Sequence, residues 1–140
     1  MTDWTLEQET PFERSFGKLP KYEQAVLLAA LERVLTPQGS DVCSSEWGKA
    51  LGGGLYEFRV RKSLKAIIEE FARPDGKKPA LKPGDDRAVL LRAFFTVHGN
   101  RVVLLFSVYD KGRDPSDKRQ KKEIARARKL LKNWTRNNEA

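Results

Sequence analysis

The run Leu91-Arg92-Ala93-Phe94-Phe95-Thr96-Val97-His98-Gly99-Asn100-Arg101-Val102-Val103-Leu104-Leu105-Phe106-Ser107-Val108-Tyr109 decides the fold class. Two β-rich stretches flank a Gly-Asn signal, the pattern of a hairpin. The first strand starts near Arg87. Its Val89, Leu91, Ala93, Phe95 and Val97 form one face, and Leu90, Arg92, Phe94 and Thr96 the other. In the second strand, Val102, Leu104, Phe106 and Val108 are expected inward, opposite Arg101, Val103, Leu105, Ser107 and Tyr109. Most positions are apolar, so both strands are expected near the centre of a sheet. His98 reads as a turn residue, although as the only histidine it invites an acid–base role.

Upstream, Leu55-Tyr56-Glu57-Phe58-Arg59-Val60-Arg61 alternates: Tyr56, Phe58 and Val60 face one way, and Glu57, Arg59 and Arg61 the other. That is a half-buried strand with a charged outer face. The segment 62–86 reads as an insertion between these strands. Leu64, Ile67, Ile68 and Phe71 fall at helical spacing, and a Pro- and Gly-containing charged loop follows. Gly52-Gly53-Gly54 reads as a strand entry, because no Lys-Ser/Thr follows to make it a phosphate cradle. A turn of helix is expected over residues 45–51.

The first 50 residues read as mostly helical. Pro11 to Phe16 is expected as a short helix after a Thr10 cap. A longer helix is expected over residues 20–35, with Leu27, Leu28, Leu31, Val34 and Leu35 as its apolar stripe. Downstream of the hairpin, a charged loop leads to a helix starting near Ser116 or Asp117 and running to about Trp134. Ile124, Ala127, Leu131 and Trp134 mark its buried side. Helices before and after a small sheet give an α+β class.

The chain of 140 residues suits one domain. Its formal net charge is +8. Residues 111–136 hold eleven basic and three acidic residues, so this segment alone nets +8 and the remainder nets zero. A neutral body with a basic end suggests a polyanionic partner, either nucleic acid or an acidic protein; a solvated helix face is the plainer explanation. No apolar run approaches the roughly 20 residues that span a bilayer, so no membrane is expected. The N-terminal residues lack a signal-peptide pattern, and the lone Cys43 fits a reducing compartment, so a cytoplasmic protein is expected. One cysteine and one histidine make a zinc site implausible, and neither metal nor cofactor is expected.

On the outer sheet face, Glu57, Arg59 and Arg61 meet Arg92, Ser107 and Tyr109, with Lys111 just beyond. Arginine forks bind phosphate and stabilise charge that grows on it. Tyr109 or Glu57 can move a proton. The 2′-hydroxyl of RNA is an internal nucleophile, so such a set can cut RNA without a metal. An ordinary cross-strand pair, worth about 0.2–1 kcal/mol, would account for Glu57 and an arginine without any chemistry.

The ordered set Trp47, Leu51-Gly52, Gly54-Leu55-Tyr56-Glu57-Phe58-Arg59, Leu91-Arg92-Ala93-Phe94-Phe95, Gly99-Asn100-Arg101-Val102-Val103-Leu104-Leu105, Lys111, and Glu123-Ile124 with Ala127 resembles the RelE/HigB superfamily, nearest its phage-derived HigB-like branch. The likeness covers about residues 47–134. It implies a compact RelE-like domain, with N-terminal helices and a basic C-terminal helix around a small, mostly antiparallel sheet. It also implies a type II toxin, a ribosome-dependent mRNA endonuclease neutralised by a cognate helix-turn-helix antitoxin. Arg59 and Arg92 match the family's strand arginines. Lys111 matches one lysine of a Lys-Lys pair, with Asp110 in the other place. On this reading Arg59, Arg61 and Arg92 hold the scissile phosphate, Tyr109 or Glu57 is the base, and Lys111 balances charge or assists the leaving group. Arg113, Lys118, Arg119, Lys121, Lys122 and Arg126 join Arg61 in gripping mRNA or ribosomal RNA. The alternative is a non-catalytic phage or prophage module that binds nucleic acid or a partner through the same basic helix.

Overall fold

The computed structural model describes residues 3–71, 73 and 75–138; Met1, Thr2, Ala72, Pro74, Glu139 and Ala140 lie outside the described residues. In chain order the elements begin with β1 (Thr5–Gln8), α1 (Thr10–Gly17) and α2 (Lys21–Ala30). Helix α2 continues through a π turn (Leu31–Leu35) into α3 (Thr36–Gln38) and a 3-10 segment (Gly39–Ser44). Then come β2 (Gly48–Gly52), β3 (Leu55–Val60), α4 (Leu64–Glu70), β4 (Leu91–His98), β5 (Val102–Asp110) and α5 (Asp117–Asn138). The sheet order is β1-β5-β4-β3-β2. Only the β1–β5 pair is parallel. The chain is therefore α+β, built on a mostly antiparallel open sheet.

One sheet face packs on α1, α2 and the π turn. Val26, Leu27, Ala30, Val34 and Leu35 meet Phe58, Val60, Leu91, Ala93 and Phe95 in this core. The expected stripe is correct except at Leu28, which is 54% exposed on the far side of the helix. The π turn carries Arg33 to a buried place, where its Nη1 donates to the carbonyl of Phe71 at 2.7 Å and closes the end of α4. Helix α4 starts at a cap: the Ser63 hydroxyl accepts from the amide of Ala66. The inserted segment is fastened to α2 as well. The Tyr22 hydroxyl donates to the carbonyl of Arg87, whose guanidinium lies 4.4 Å from the Tyr22 ring centre.

The second face is covered by α5. Ala127 is fully buried against Leu55, Phe94, Leu104 and Phe106, with Ile124, Leu130, Leu131 and Trp134 around it. The expected stripe of α5 is present, joined by Leu130 and by the buried Glu123. A small residue at the closest point lets a helix of about 33 Å lie flat on the sheet.

Three expectations are corrected. The N-terminus is not wholly helical, because Thr5–Gln8 pairs with β5. Residues 48–52 form a strand instead of a helical turn, because Gly53 and Gly54, both at positive φ, reverse the chain onto β3. The inward set of β5 is wrong over its first half. Phe94 pairs with Ser107 but Phe95 pairs with Leu105, so Phe106 is an extra residue in β5. Val103 and Leu105 therefore face α2 while Leu104 and Phe106 face α5, and past the bulge Val108 faces α2 and Tyr109 faces α5. One inserted residue swaps the two faces.

Candidate functional site

Register alone brings the site together. Arg59 is opposite Arg92, and Arg92 is opposite Tyr109, across three neighbouring strands. Glu57, Phe94 and Ser107 make the next row. Strands lie about 4.8 Å apart, so each row spans about 10 Å. The bulge at Phe106 is what lets Ser107 and Tyr109 share a face with Arg92.

The charged face is not the open surface expected from alternation; it is roofed by α5. Glu57 is 0% exposed, Ser107 2%, Arg92 3% and Tyr109 3%. Arg59 Nε donates to Glu57 Oε1 at 2.7 Å. Arg119, on the first turns of α5, sits with its guanidinium 5.3 Å from the Tyr109 ring centre and donates to Glu123 at 3.2 Å. Lys111 Nζ donates to Gln120 Oε1 at 3.3 Å. Toward solvent the cluster ends in the exposed Arg61 and the half-buried Arg59 and Lys111.

The interior of this cluster is under-bonded. Glu57 Oε2, Arg92 Nε and Nη1, Ser107 Oγ and the Tyr109 hydroxyl have no hydrogen-bond partner among the described residues. They are five of the seven such buried side-chain atoms, the others being Trp4 Nε1 and Glu23 Oε1. An unmet buried polar atom costs about 1–3 kcal/mol, so these five are where a water or a ligand atom would gain most by binding.

Electrostatics follow from that crowding. Burial pulls the Arg92 guanidinium below its ordinary pKa; Glu57 opposes this, and Arg59 and Arg61 add to it. Burial likewise lowers Lys111, with repulsion from Arg92 second. The Tyr109 phenol is raised, by burial first and then by Glu57. Tyr109 therefore holds its proton across the neutral range, which makes it available as a donor and poorly suited to a base role. One carboxylate among four cations leaves the buried cluster net positive.

The remaining sequence-based candidates separate into two groups. Arg119 turns inward onto Tyr109, while Lys118, Lys121, Lys122 and Arg126 stay exposed on α5, and Arg113 is exposed in the loop before it. Arg128 serves the fold, because its guanidinium donates to the carbonyls of Leu51 (2.6 Å) and Gly52 (3.1 Å) and ties α5 to the glycine turn. Gln120 and Glu123 join the site without having been picked out. The i,i+4 spacing of Arg119 and Glu123 was the available signal. His98 is held elsewhere, its ring 4.8 Å from Trp134 and its Nε2 3.3 Å from Glu7 Oε1. Burial raises the Cys43 thiol, which disfavours the reactive thiolate. Among the described residues no helix is long and apolar enough to cross a membrane.

No family model matches the chain, and no curated protein or solved structure matches it either.

Proposed function

We propose that the protein is a metal-independent endoribonuclease of the RelE/HigB kind, a type II toxin that cuts mRNA on the ribosome in the cytoplasm and is neutralised by a helix-turn-helix antitoxin. The observation that carries this reading is Arg92. It is buried, with Nε and Nη1 unpartnered, between Arg59 and Tyr109 in one row. A guanidinium so placed is preorganised for an anionic oxygen.

Arg92 and Glu57 lie under α5, so the reading requires the first turns of α5 to move off the sheet face when RNA binds. Arg59, Arg61 and Arg92 then hold the scissile phosphate. Glu57, through Oε2, takes the proton of the 2′-hydroxyl. The 2′-oxygen bonds to phosphorus, the bond from phosphorus to the 5′-oxygen breaks, and a 2′,3′-cyclic phosphate forms. Lys111, its pKa lowered by burial, gives a proton to the departing 5′-oxygen. Tyr109 donates to a non-bridging oxygen as charge accumulates there. Lys118, Lys121, Lys122 and Arg126, exposed on α5, grip RNA backbone.

The test is to incubate the purified protein with translating ribosomes and map new mRNA 5′ ends. Ends that appear with wild type and vanish with Arg59→Ala plus Arg92→Ala, in a variant that still melts cooperatively, support the reading. Wild-type protein that generates no ends refutes it. A second reading, a non-catalytic binding module, draws on the outer face of α5: Lys118, Lys121 and Lys122 are exposed and have no ion pair among the described residues. It is favoured if salt-sensitive RNA or DNA binding persists with no cleavage.

A further inference from the structure

A cleft of about 240 Å³ lies at the outer edge of β5, on the far side of Tyr109 from Arg59 and Arg92. Its walls are the α1–α2 joint, with Lys18 and Ser15, and the first half of α5, with Arg119 and Arg126. Tyr109 and Asp110 lie between them, and Arg113 stands at the loop side. We propose that this cleft binds a backbone phosphate of the RNA strand next to the scissile one, held between Lys18 and Arg126 on opposite walls. The proposal rests on the ribonuclease reading for its ligand and on the cleft itself for its geometry.

Charge is the first support. Four cations and two carboxylates, Asp110 and Glu123, line the space. Arg119 is engaged by Glu123 at 3.2 Å and Asp114 at 3.8 Å. Lys18, Arg113 and Arg126 make no ion pair among the described residues and are exposed. The lysines on the outer side of α5 splay from a convex surface. These three converge on a concavity, where the field is focused.

The floor of the cleft is the second support. Beyond its pairing with β1, the edge of β5 is sealed: the amide of Val108 donates to Ser15 Oγ at 3.0 Å, and that hydroxyl donates to the carbonyl of Phe12. This sealed stretch leaves side-chain charge as the means of recognition. Such contacts fix position on a phosphate backbone and do not read bases.

Topology is the third support. The row Arg59, Arg92, Tyr109 runs across the strands, and the cleft continues it past the last strand of the row. The middle of the row is roofed by α5, so an RNA strand meets it at its two solvent ends, Arg59 and Arg61 on one side and the cleft on the other.

The probe is a fluorescent RNA hexamer with 2′-O-methyl groups throughout, which binds but has no nucleophile. Anisotropy titrations run from low to moderate KCl on wild type, Lys18→Glu, Arg126→Ala and the outer-face control Lys132→Ala. Lys18→Glu and Arg126→Ala should each weaken binding several-fold and flatten the plot of log affinity against log salt by about 0.7 for each phosphate no longer neutralised. Both residues are exposed, so melting should be unchanged. Wild-type affinity and slope in both variants would overturn the proposal, as would equal losses in Lys132→Ala. If wild type binds through Lys18 but never cuts mRNA, the nuclease reading fails and the cleft stands. If it cuts while both variants bind as wild type does, the cleft alone falls. Competition by a poly-glutamate peptide through Lys18, with no RNA binding, also overturns the assignment.

Discussion

Glu57→Gln isolates the charge of the buried carboxylate from its shape. The glutamine oxygen can still accept from Arg59 Nε, now 2.7 Å from Glu57 Oε1. What disappears is the negative charge that offsets Arg92, which is buried and leaves Nε and Nη1 unpartnered. Arg59 stays charged, so its bond to the glutamine oxygen remains charge-assisted and the loss comes chiefly from the missing counterion. Leaving a buried charge without its counterion costs about 3–5 kcal/mol when nothing relaxes. Here Arg59 retains partial solvent contact and Arg61 is exposed, so about 2 kcal/mol in total is the expected loss. For a chain of this size that lowers Tm by about 8 °C. The assay is thermal melting followed by tryptophan fluorescence and circular dichroism, repeated with inorganic phosphate. The variant cluster carries one more net positive charge, so phosphate should bind it, at its solvent end by Arg59 and Arg61, more tightly than wild type. A tenfold gain is about 1.4 kcal/mol and restores about 5 °C at saturation. A variant as stable as wild type, or one that phosphate stabilises no more than wild type, refutes the account of Glu57 as the cluster's internal counterion.

Lys111 must be protonated to donate, so cleavage should decline as pH rises through its pKa, which lies below the ordinary lysine value. Lys111→Arg should move that decline to higher pH in a pH–rate profile. Tyr109 is raised by burial and keeps its proton at neutral pH, so Tyr109→Phe should lower the rate across the neutral range without adding an inflection there. Gly39→Ala should cost about 2–4 kcal/mol in urea unfolding: its Cβ would lie 2.1 Å from Trp4 Cε2, at a φ of +54°. Arg128→Ala should lose about 1 kcal/mol and speed hydrogen exchange in the β2–β3 hairpin, because it removes both guanidinium hydrogen bonds to Leu51 and Gly52.

Legibility in the sequence depended on whether a residue's neighbours carried contrast. Glu57, Arg59 and Arg61 alternate with Tyr56, Phe58 and Val60, so their shared face was readable. Val102 to Phe106 is unbroken apolar sequence, which has no contrast and cannot show its phase. The bulge at Phe106 therefore passed unseen, yet Ser107 and Tyr109 were still assigned to the face of Arg92. Strand β1 has one apolar residue among four, and β2 is built from Gly, Lys, Ala and Leu, so neither resembles a strand by composition. The roofing of Glu57 by α5 is a long-range event that no local window contains. The Lys18 wall of the cleft was missed for the same reason.

The extra residue at Phe106 also sets how this strand can change over generations. Upstream of it, odd-numbered positions of β5 answer to α2; downstream, even-numbered ones do. Loss of Phe106 alone would leave Leu105 opposite Phe95 and Ser107 opposite Phe94, so the pairing becomes unbroken and both flanking sets keep their sides. The bulge is thus one residue of slack: a first codon can be lost at this point with only the packing of Phe106 under α5 given up, whereas loss of a second shifts one flank by a residue and turns its side chains over.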